Sequence, residues 1–309
     1  MVSGNRKVLV TGGTGFIGSN LVKELAKINQ VVVVGRNNWQ GQLPKKTRFI
    51  RADVRSSKFL KFLKNSHFDY IFHFAGNADP YCSVQKPIID FKTNAVSTLK
   101  ILEILRGLKS RPRFVFASSV AVYGNCRDKK LSEDISVPLP ISPYGVSKLT
   151  GERYVSVYAR QYGIPALSLR LFSTYGPGHK RQIIFDFIEK LSKNPEDLEI
   201  IGDGKQARDL VFIDDQIKNI IRVAERGNYD GSVYNLGSGK LYSTLEIAKT
   251  VGSAMGLRPQ ISFTGRLRSS DGQVWRADIK KIVKLGCRIT TPLNSGIIKT
   301  VAWQKRFRA

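Results

Sequence analysis

Tyr144 and Lys148, in "PYGVSK", stand four residues apart, so one turn of α-helix sends both side chains out of the same face. An ammonium beside a phenol stabilises the phenolate and draws its pKa of about 10 toward neutrality, which makes Tyr144 a usable general acid or base. Upstream, "SSVAVYG" ends an apolar run with two hydroxyls, Ser118 and Ser119, and then continues through Val120, Ala121 and Val122, which carry no proton donor or acceptor. The plainer reading of this stretch is the end of a buried strand whose Ser and Tyr satisfy backbone groups.

Near the start of the chain, "VLVTGGTGFIG" places Gly12, Gly15 and Gly18 after a β-branched run and, with Phe16 and Ile17, at the mouth of an amphipathic stretch. The first glycine allows a sharp turn, the second lets backbone N–H groups approach a diphosphate, and the third allows close helix packing. This is the pattern of a dinucleotide site. The ribose-binding position that commonly holds an acid is occupied here by Gly35, followed by Arg36, a cation suited to a 2′-phosphate. That favours NADP over NAD, although Arg36 could equally stack on adenine or point to solvent. Asp53, followed by Val54, is placed either to accept from the adenine amino group or to cap the helix expected over Arg55 to Asn65.

The elements that must carry these residues follow a regular rhythm. The runs "KVLVTG", "QVVVVG", "TRFIRAD", "FDYIFHFAG", "RPRFVFASS" and "IPALSLR" alternate with amphipathic stretches such as Phe16 to Ile28, the pattern of a parallel sheet covered on both faces. The fold class predicted is α/β, a doubly wound Rossmann sheet over residues 1–171. From about Phe172 the segments become Gly- and Pro-punctuated, which predicts a smaller C-terminal α/β lobe over 172–309, with some segments returning to the sheet. Its loops should face the carboxyl ends of the strands, where open α/β sheets bind ligands.

Composition narrows the function classes. The 309 residues suffice for a full core, and no stretch approaches the ~18 apolar residues of a membrane span, so a cytoplasmic protein is expected. Cys82, Cys126 and Cys287 are odd in number and widely spaced, and His67, His73 and His179 are never at ligand spacing, which fits reduced thiols and no metal centre. Fifty Lys and Arg against 24 Asp and Glu give a net charge of +26, which raises the question of nucleic acid. The basic residues are scattered, however. Lys58, Lys61 and Lys64 share one helix face opposite Phe59, Phe62 and Leu63, which is a solvated face, so no specific nucleic acid partner is expected.

Taken together, "TGGTGFIG", "FHFAG", "SSVAVYG", "YGVSK", "YGPG", "GDGKQARDLVFIDD", "YNLGSG" and "WRAD" span nearly the whole chain, and the sequence resembles the extended short-chain dehydrogenase/reductase family of nucleotide-sugar epimerases and dehydratases. The resemblance implies a Rossmann domain holding NAD(P), a C-terminal lobe holding a nucleotide-diphosphate sugar, and homodimers built on the helices carrying Val96 to Leu108 and Tyr144 to Tyr158. It gives Ser119 the reacting sugar oxygen, Tyr144 the acid/base role, and Lys148 both the phenol and the nicotinamide ribose. Ser118 should lie near the nicotinamide, with Ala75, Gly76 and Asn94 walling the cofactor and Leu171 beside it. In the second lobe, Arg208 and Arg268 match arginines that grip the substrate diphosphate.

In related dehydratases an acid pair follows the catalytic hydroxyl, and in related decarboxylases a glutamate lies one place further; this chain has Val120 and Ala121 there. Without an acid, elimination has no agent, and hydride removal and return is left, which means 4-epimerisation. Two departures fall in the substrate lobe: Ser173 stands where Asn is usual, and "RSSD" replaces Arg-Pro-Gly-Asp. Two other readings stay open, a one-way keto-sugar reductase or sugar-nucleotide dehydrogenase, and a non-catalytic nucleotide- or RNA-binding protein.

Overall fold

The computed structural model describes residues 4–124, 130–265 and 274–308. The six apolar runs form the strands β1 (Lys7–Thr11), β2 (Gln30–Gly35), β3 (Thr47–Arg51), β4 (Tyr70–His73), β5 (Arg113–Ser119) and β6 (Ala166–Leu171). Between them lie α1 (Phe16–Leu25), α2 (Ser57–Lys64), α3 (Pro80–Gln85), α4 (Pro87–Phe91), α5 (Ser97–Arg106) and α6 (Pro143–Tyr162).

The rest of the chain adds the short strands β7 (Ser173–Tyr175), β8 (Asp197–Ile200), β9 (Ala207–Arg208) and β10 (Leu210–Phe212), then β11 (Asp230–Leu236), β12 (Tyr242–Ser243) and β13 (Gln260–Phe263). Its helices are α7 (Gln182–Lys193), α8 (Ile213–Arg226), α9 (Thr244–Met255), α10 (Lys280–Lys284) and α11 (Leu293–Arg308).

One seven-stranded sheet runs β11-β6-β5-β4-β1-β2-β3, every pair parallel. Alternate residues divide its two faces. Val8, Val10, Val33, Phe72 and Val115 pack in one core cluster with α1 and α8, whereas Leu9, Val34, Ile71, Phe114 and Phe116 pack with α2, α5 and α6 in another. A strand buried on both faces must be apolar at every position, which is why these runs do not alternate with polar residues. The order reverses between β1 and β4, so their carboxyl ends open a crevice there. β11 returns to the sheet beside β6, while β7–β10, β9–β12 and β8–β13 pair into separate two-stranded sheets.

Local chemistry sets the ends of the elements. The helix expected to reach Ile28 stops at Leu25 because the Asn29 side chain donates to the Leu25 carbonyl at 3.1 Å and accepts from the Arg6 N–H at 3.1 Å. One amide thus closes the helix and ties it to the start of β1. The cap of α2 is Ser56, whose hydroxyl accepts from the Phe59 N–H, and not Asp53. Lys58, Lys61 and Lys64 lie exposed over the buried Phe59 and Leu63, as the spacing predicts. α6 starts at Ser142, which caps the Gly145 N–H, with Pro143 at its first position, and ends at Gly163, whose φ is +62°.

Candidate active site

The glycine-rich turn is shaped to receive a diphosphate. Gly12 has φ +69°, and a Cβ there would stand 2.5 Å from the Ala75 nitrogen and the Phe74 carbonyl. At Gly18 a Cβ would collide with the Gly12 carbonyl oxygen, so turn and helix touch through backbone alone. Gly15 is the N-cap of α1 and supplies no side-chain acceptor, which leaves the first N–H groups, those of Phe16 and Ile17 among them, directed at the crevice. A dinucleotide diphosphate fits this cradle. The Phe16 ring is stacked on His179, which lies between β7 and α7, with centroids 4.5 Å apart and planes 13° apart.

At the ribose end, a Cβ on Gly35 would lie 2.5 Å from the Thr14 hydroxyl oxygen, so a carboxylate there would displace Thr14. Arg36 is exposed, and its carbonyl accepts from Arg51 Nε at 3.2 Å. Both Asp53 oxygens are held by the Arg55 guanidinium, at 3.0 and 2.7 Å, and this pairing keeps the carboxyl below its ordinary range. Val54 is buried in the core cluster that holds Leu9 and Phe59, and Leu171 is half-buried against the other cluster, which holds Val8 and Val115.

Three of the candidate side chains, Ser119, Tyr144 and Lys148, are carried by the end of β5 and by α6. Ser119 ends β5, and its hydroxyl accepts from the Ala121 N–H at 3.2 Å, closing the 3₁₀ turn Val120–Val122. It also lies near enough to the Tyr144 phenol to act on its ionisation, and Tyr144 is 8 % exposed. Lys148 Nζ donates to the Ala117 carbonyl at 2.9 Å and lies over the Phe116 ring. Gly76 is the empty wall opposite: a Cβ there would be 3.1 Å from Lys148 Nζ and 2.5 Å from Asn94 Oδ1. Ala75 is fixed beside it, its N–H donating to Thr11 Oγ1 at 3.3 Å.

Ionisation departs from the simple expectation. Burial pushes the Tyr144 phenol up to about 12; the Ser119 hydrogen bond pulls it down and Asp90 pushes it up. Burial also lowers Lys148 to about 8, against a raising effect of Asp90. The ammonium is therefore not what sets the phenol in this arrangement, because desolvation acts on both partners at once. His73 lies fully buried beneath them, lowered to about 3 by burial and then by the Lys148 charge, with Nδ1 2.7 Å from the Thr11 hydroxyl; it stays neutral.

Ser118, at the end of β5, is engaged within the protein. Its hydroxyl donates to Glu152 Oε2 at 2.9 Å, and Glu152 also accepts from Arg170 Nε at 3.1 Å, all three side chains being buried. This cluster ties β5, β6 and α6 together. Asn94 sits on a π-turn, Lys92–Val96, between α4 and α5, and is 1 % exposed. Its Oδ1 accepts from the Asn77 N–H at 2.8 Å, and its Nδ2 donates to Asp90 and to Ser147, each at 3.0 Å. Sequence reasoning missed Asp90 and Glu152. Glu152 continues the four-residue spacing of Tyr144 and Lys148, and Asp90 precedes Asn94 by the same step, so helical periodicity was the available signal.

Further along the chain, Arg208 and Ser173 are half-buried, on β9 and β7. Beside Arg208, the buried Asp209 accepts from the Ser238 N–H at 2.6 Å, its hydroxyl at 2.7 Å, the Gly239 N–H at 2.9 Å and the Ala277 N–H at 3.0 Å. "ARD", "NLGSG" and "WRAD" are thus one knot that orients β9. Arg268, with Asp271, and Cys126 lie outside the described residues.

The profile of the NAD dependent epimerase/dehydratase family matches residues 8–237. A putative UDP-glucose 4-epimerase of Methanocaldococcus jannaschii is 34 % identical over 96 % of this chain and 98 % of its own. The crystal structure of UDP-glucose 4-epimerase from Thermotoga maritima with UDP-glucose superposes with a TM-score of 0.88 at 28 % identity, covering 98 % of this chain and 100 % of that one. UDP-glucuronic acid 4-epimerase from Bacillus cereus, in complex with UDP-glucuronic acid and NAD, gives a TM-score of 0.86 at 30 % identity over 97 % and 99 %. With the glycine cradle, the Ser119–Tyr144–Lys148 cluster and the seven-stranded sheet all in place, the chain belongs to the NAD-dependent epimerase/dehydratase family, within the extended short-chain dehydrogenases/reductases.

Proposed function

We propose that the protein is a nucleotide-sugar 4-epimerase. The observation that carries this reading is the buried meeting of Ser119, Tyr144 and Lys148 beside the glycine cradle, with the apolar Val120 and Ala121 occupying the next two positions. The Ser119 hydroxyl orients the sugar 4-oxygen, and Tyr144 takes the hydroxyl proton and later returns it to the same oxygen. When bound, the nicotinamide supplies reversible hydride acceptance at the sugar carbon and a positive charge that favours the Tyr144 phenolate. Lys148 holds the ribose side of that site, and the 4-keto sugar turns within the pocket before reduction on its other face. Arg208 anchors the substrate diphosphate, and Arg268 shares this role, so that the hexose alone rotates.

Supporting this reading, relatives named as UDP-sugar 4-epimerases match 96 % or more of the chain. Incubating the purified protein with UDP-glucose, UDP-N-acetylglucosamine, UDP-glucuronic acid and their 4-epimers tests it. Interconversion without net absorbance change at 340 nm is expected; one-for-one consumption of cofactor would establish the one-way oxidoreductase instead.

At the ribose end, Gly35 packed on Thr14 and the exposed Arg36 favour a 2′-phosphate, hence NADP(H) over NAD. Affinities for the two cofactors in wild type and Arg36→Ala decide this. The exposed apolar residues Val146, Tyr154 and Val157 of α6 support a homodimer through that helix, which light scattering in solution checks. No described helix is long and apolar enough to cross a membrane. A cytoplasmic site of action suits its free thiols, Cys82 and Cys287.

A further inference from the structure

Asp90 is a carboxylate, 2 % exposed, that the proposed chemistry leaves unused. It stands on α4, where α4, the π-turn, the loop after β4 and α6 meet. Three donors hold it: Asn77 Nδ2 at 2.8 Å, Asn94 Nδ2 at 3.0 Å and the Ser147 hydroxyl at 2.6 Å. All three belong to the wall of the reactive site. Asn94 Oδ1 and Lys148 Nζ both border the space left by the missing Cβ of Gly76, and Ser147 lies between Tyr144 and Lys148 on α6. A carboxylate accepts at both oxygens, so with Asp90 in place each of these groups can be oriented in only one sense: Asn94 must turn its amide nitrogen to Asp90 and its oxygen toward Asn77 and Gly76.

The charge has a second consequence. A buried ammonium needs a compensating anion to stay protonated. The Ala117 carbonyl and Phe116 ring of β5 touch Lys148 and Asn94 of the π-turn borders the same space; His73 of β4 and Asp90 of α4 lie near enough to interact with its charge, and Tyr144 stands one turn earlier on its own helix. His73 and Tyr144 are neutral at physiological pH. Glu152, one turn further along α6, is held by Arg170 and Ser118.

We propose that Asp90 is a positioning residue of this site: its carboxylate locks the Asn77–Asn94–Ser147 wall in one hydrogen-bonding sense and is the buried anion that keeps Lys148 an ammonium. The proposal rests on Tyr144 and Lys148 being the reactive pair, and its test is read without sugar or cofactor. Asp90→Asn removes the charge while an amide can still accept from Asn77 and Asn94 and donate to Ser147. Trace acetylation of the full-length protein across a pH series, with mass spectrometry of the Lys148 and Lys58 peptides, gives the pH at which each amine becomes reactive.

In Asp90→Asn the Lys148 midpoint should fall by about one pH unit or more while exposed Lys58 stays put. In Ser147→Ala, which breaks the wall but keeps the charge, the Lys148 midpoint should not move. An unmoved midpoint in Asp90→Asn, or an equal shift in Ser147→Ala, overturns the proposal. Should Asp90→Asn fail to fold, wild type decides alone: Lys148 still charged at pH 7 agrees, and Lys148 already neutral there refutes it. Where turnover is measurable, the alkaline limb of kcat in Asp90→Asn should shift with the midpoint, and KM should change less than twofold. Absence of turnover with every sugar would count against the epimerase reading and leave the acetylation result standing.

Discussion

Replacing Gly12 by alanine tests whether the nucleotide turn is shaped by conformation alone or also by lack of space. Gly12 has φ +69°, and an alanine held in that region costs about 1–2 kcal/mol. The added Cβ would also lie 2.5 Å from the Ala75 nitrogen and the Phe74 carbonyl carbon and oxygen, inside the 3.0 Å that Cβ atoms essentially never breach. These are backbone atoms leaving the end of β4, between β1 and β5 in the sheet, and they have no rotamer to yield; such overpacking adds about 1–3 kcal/mol. Gly41 isolates the first contribution. Its φ is +78°, yet nothing lies within 4 Å of its missing Cβ. Gly41→Ala should therefore lose about 1–2 kcal/mol, and Gly12→Ala about 2–5 kcal/mol. Urea unfolding of wild type and both variants reads the difference, and calorimetric titration with the dinucleotide should show its affinity falling only in Gly12→Ala. Equal losses in the two variants, with unchanged cofactor affinity in Gly12→Ala, would refute the claim that the turn and the end of β4 are in contact.

Three further outcomes are expected. Tyr144→Phe keeps the fold and the cofactor but should lower kcat by about 10²–10⁴, read as sugar interconversion in the purified variant. Glu152→Gln leaves the buried Arg170 guanidinium without its counter-charge, so urea unfolding should show a loss of about 3–5 kcal/mol, partly recovered in Glu152→Leu/Arg170→Met. At high pH, Tyr123 and Tyr144 are both raised to about 12 by burial, so the folded state holds their protons above pH 10 where the unfolded chain releases them. Stability from these phenols is complete below pH 10 and falls between pH 10 and 12. Lys148, lowered to about 8, acts in the opposite direction between pH 8 and 10.5. Exposed tyrosines such as Tyr81 should ionise first, and the remaining rise at 295 nm should coincide with unfolding by circular dichroism above pH 10; complete titration of every tyrosine without unfolding would contradict the burial assigned to these two rings.

Much of the site was legible because it is local. Helical period puts Tyr144 and Lys148 on one face, and three glycines after a β-branched run announce a turn that needs backbone approach. The boundary of α1 was not legible in the same way: the apolar stripe runs on to Ile28, and the stop at Leu25 depends on Asn29 reaching Arg6 across the chain. For Asp53, two roles were equally compatible with the residues in order. Only the fold shows Ser56 taking the cap while Asp53 pairs with Arg55.

By itself, then, the sequence determines the βαβ rhythm, the glycine-rich turn and the shared helix face of Tyr144 and Lys148, since each is written in residue type and short-range spacing. The tertiary structure alone decides that β11 returns to the main sheet, that Ser118 serves Glu152, and that Asp90 and Asp209 each gather donors from several segments. It also decides the ionisation of the reactive pair. Desolvation sums over every group packed around a side chain, and those groups come from β4, β5, α4 and α6, which no local window of the chain contains.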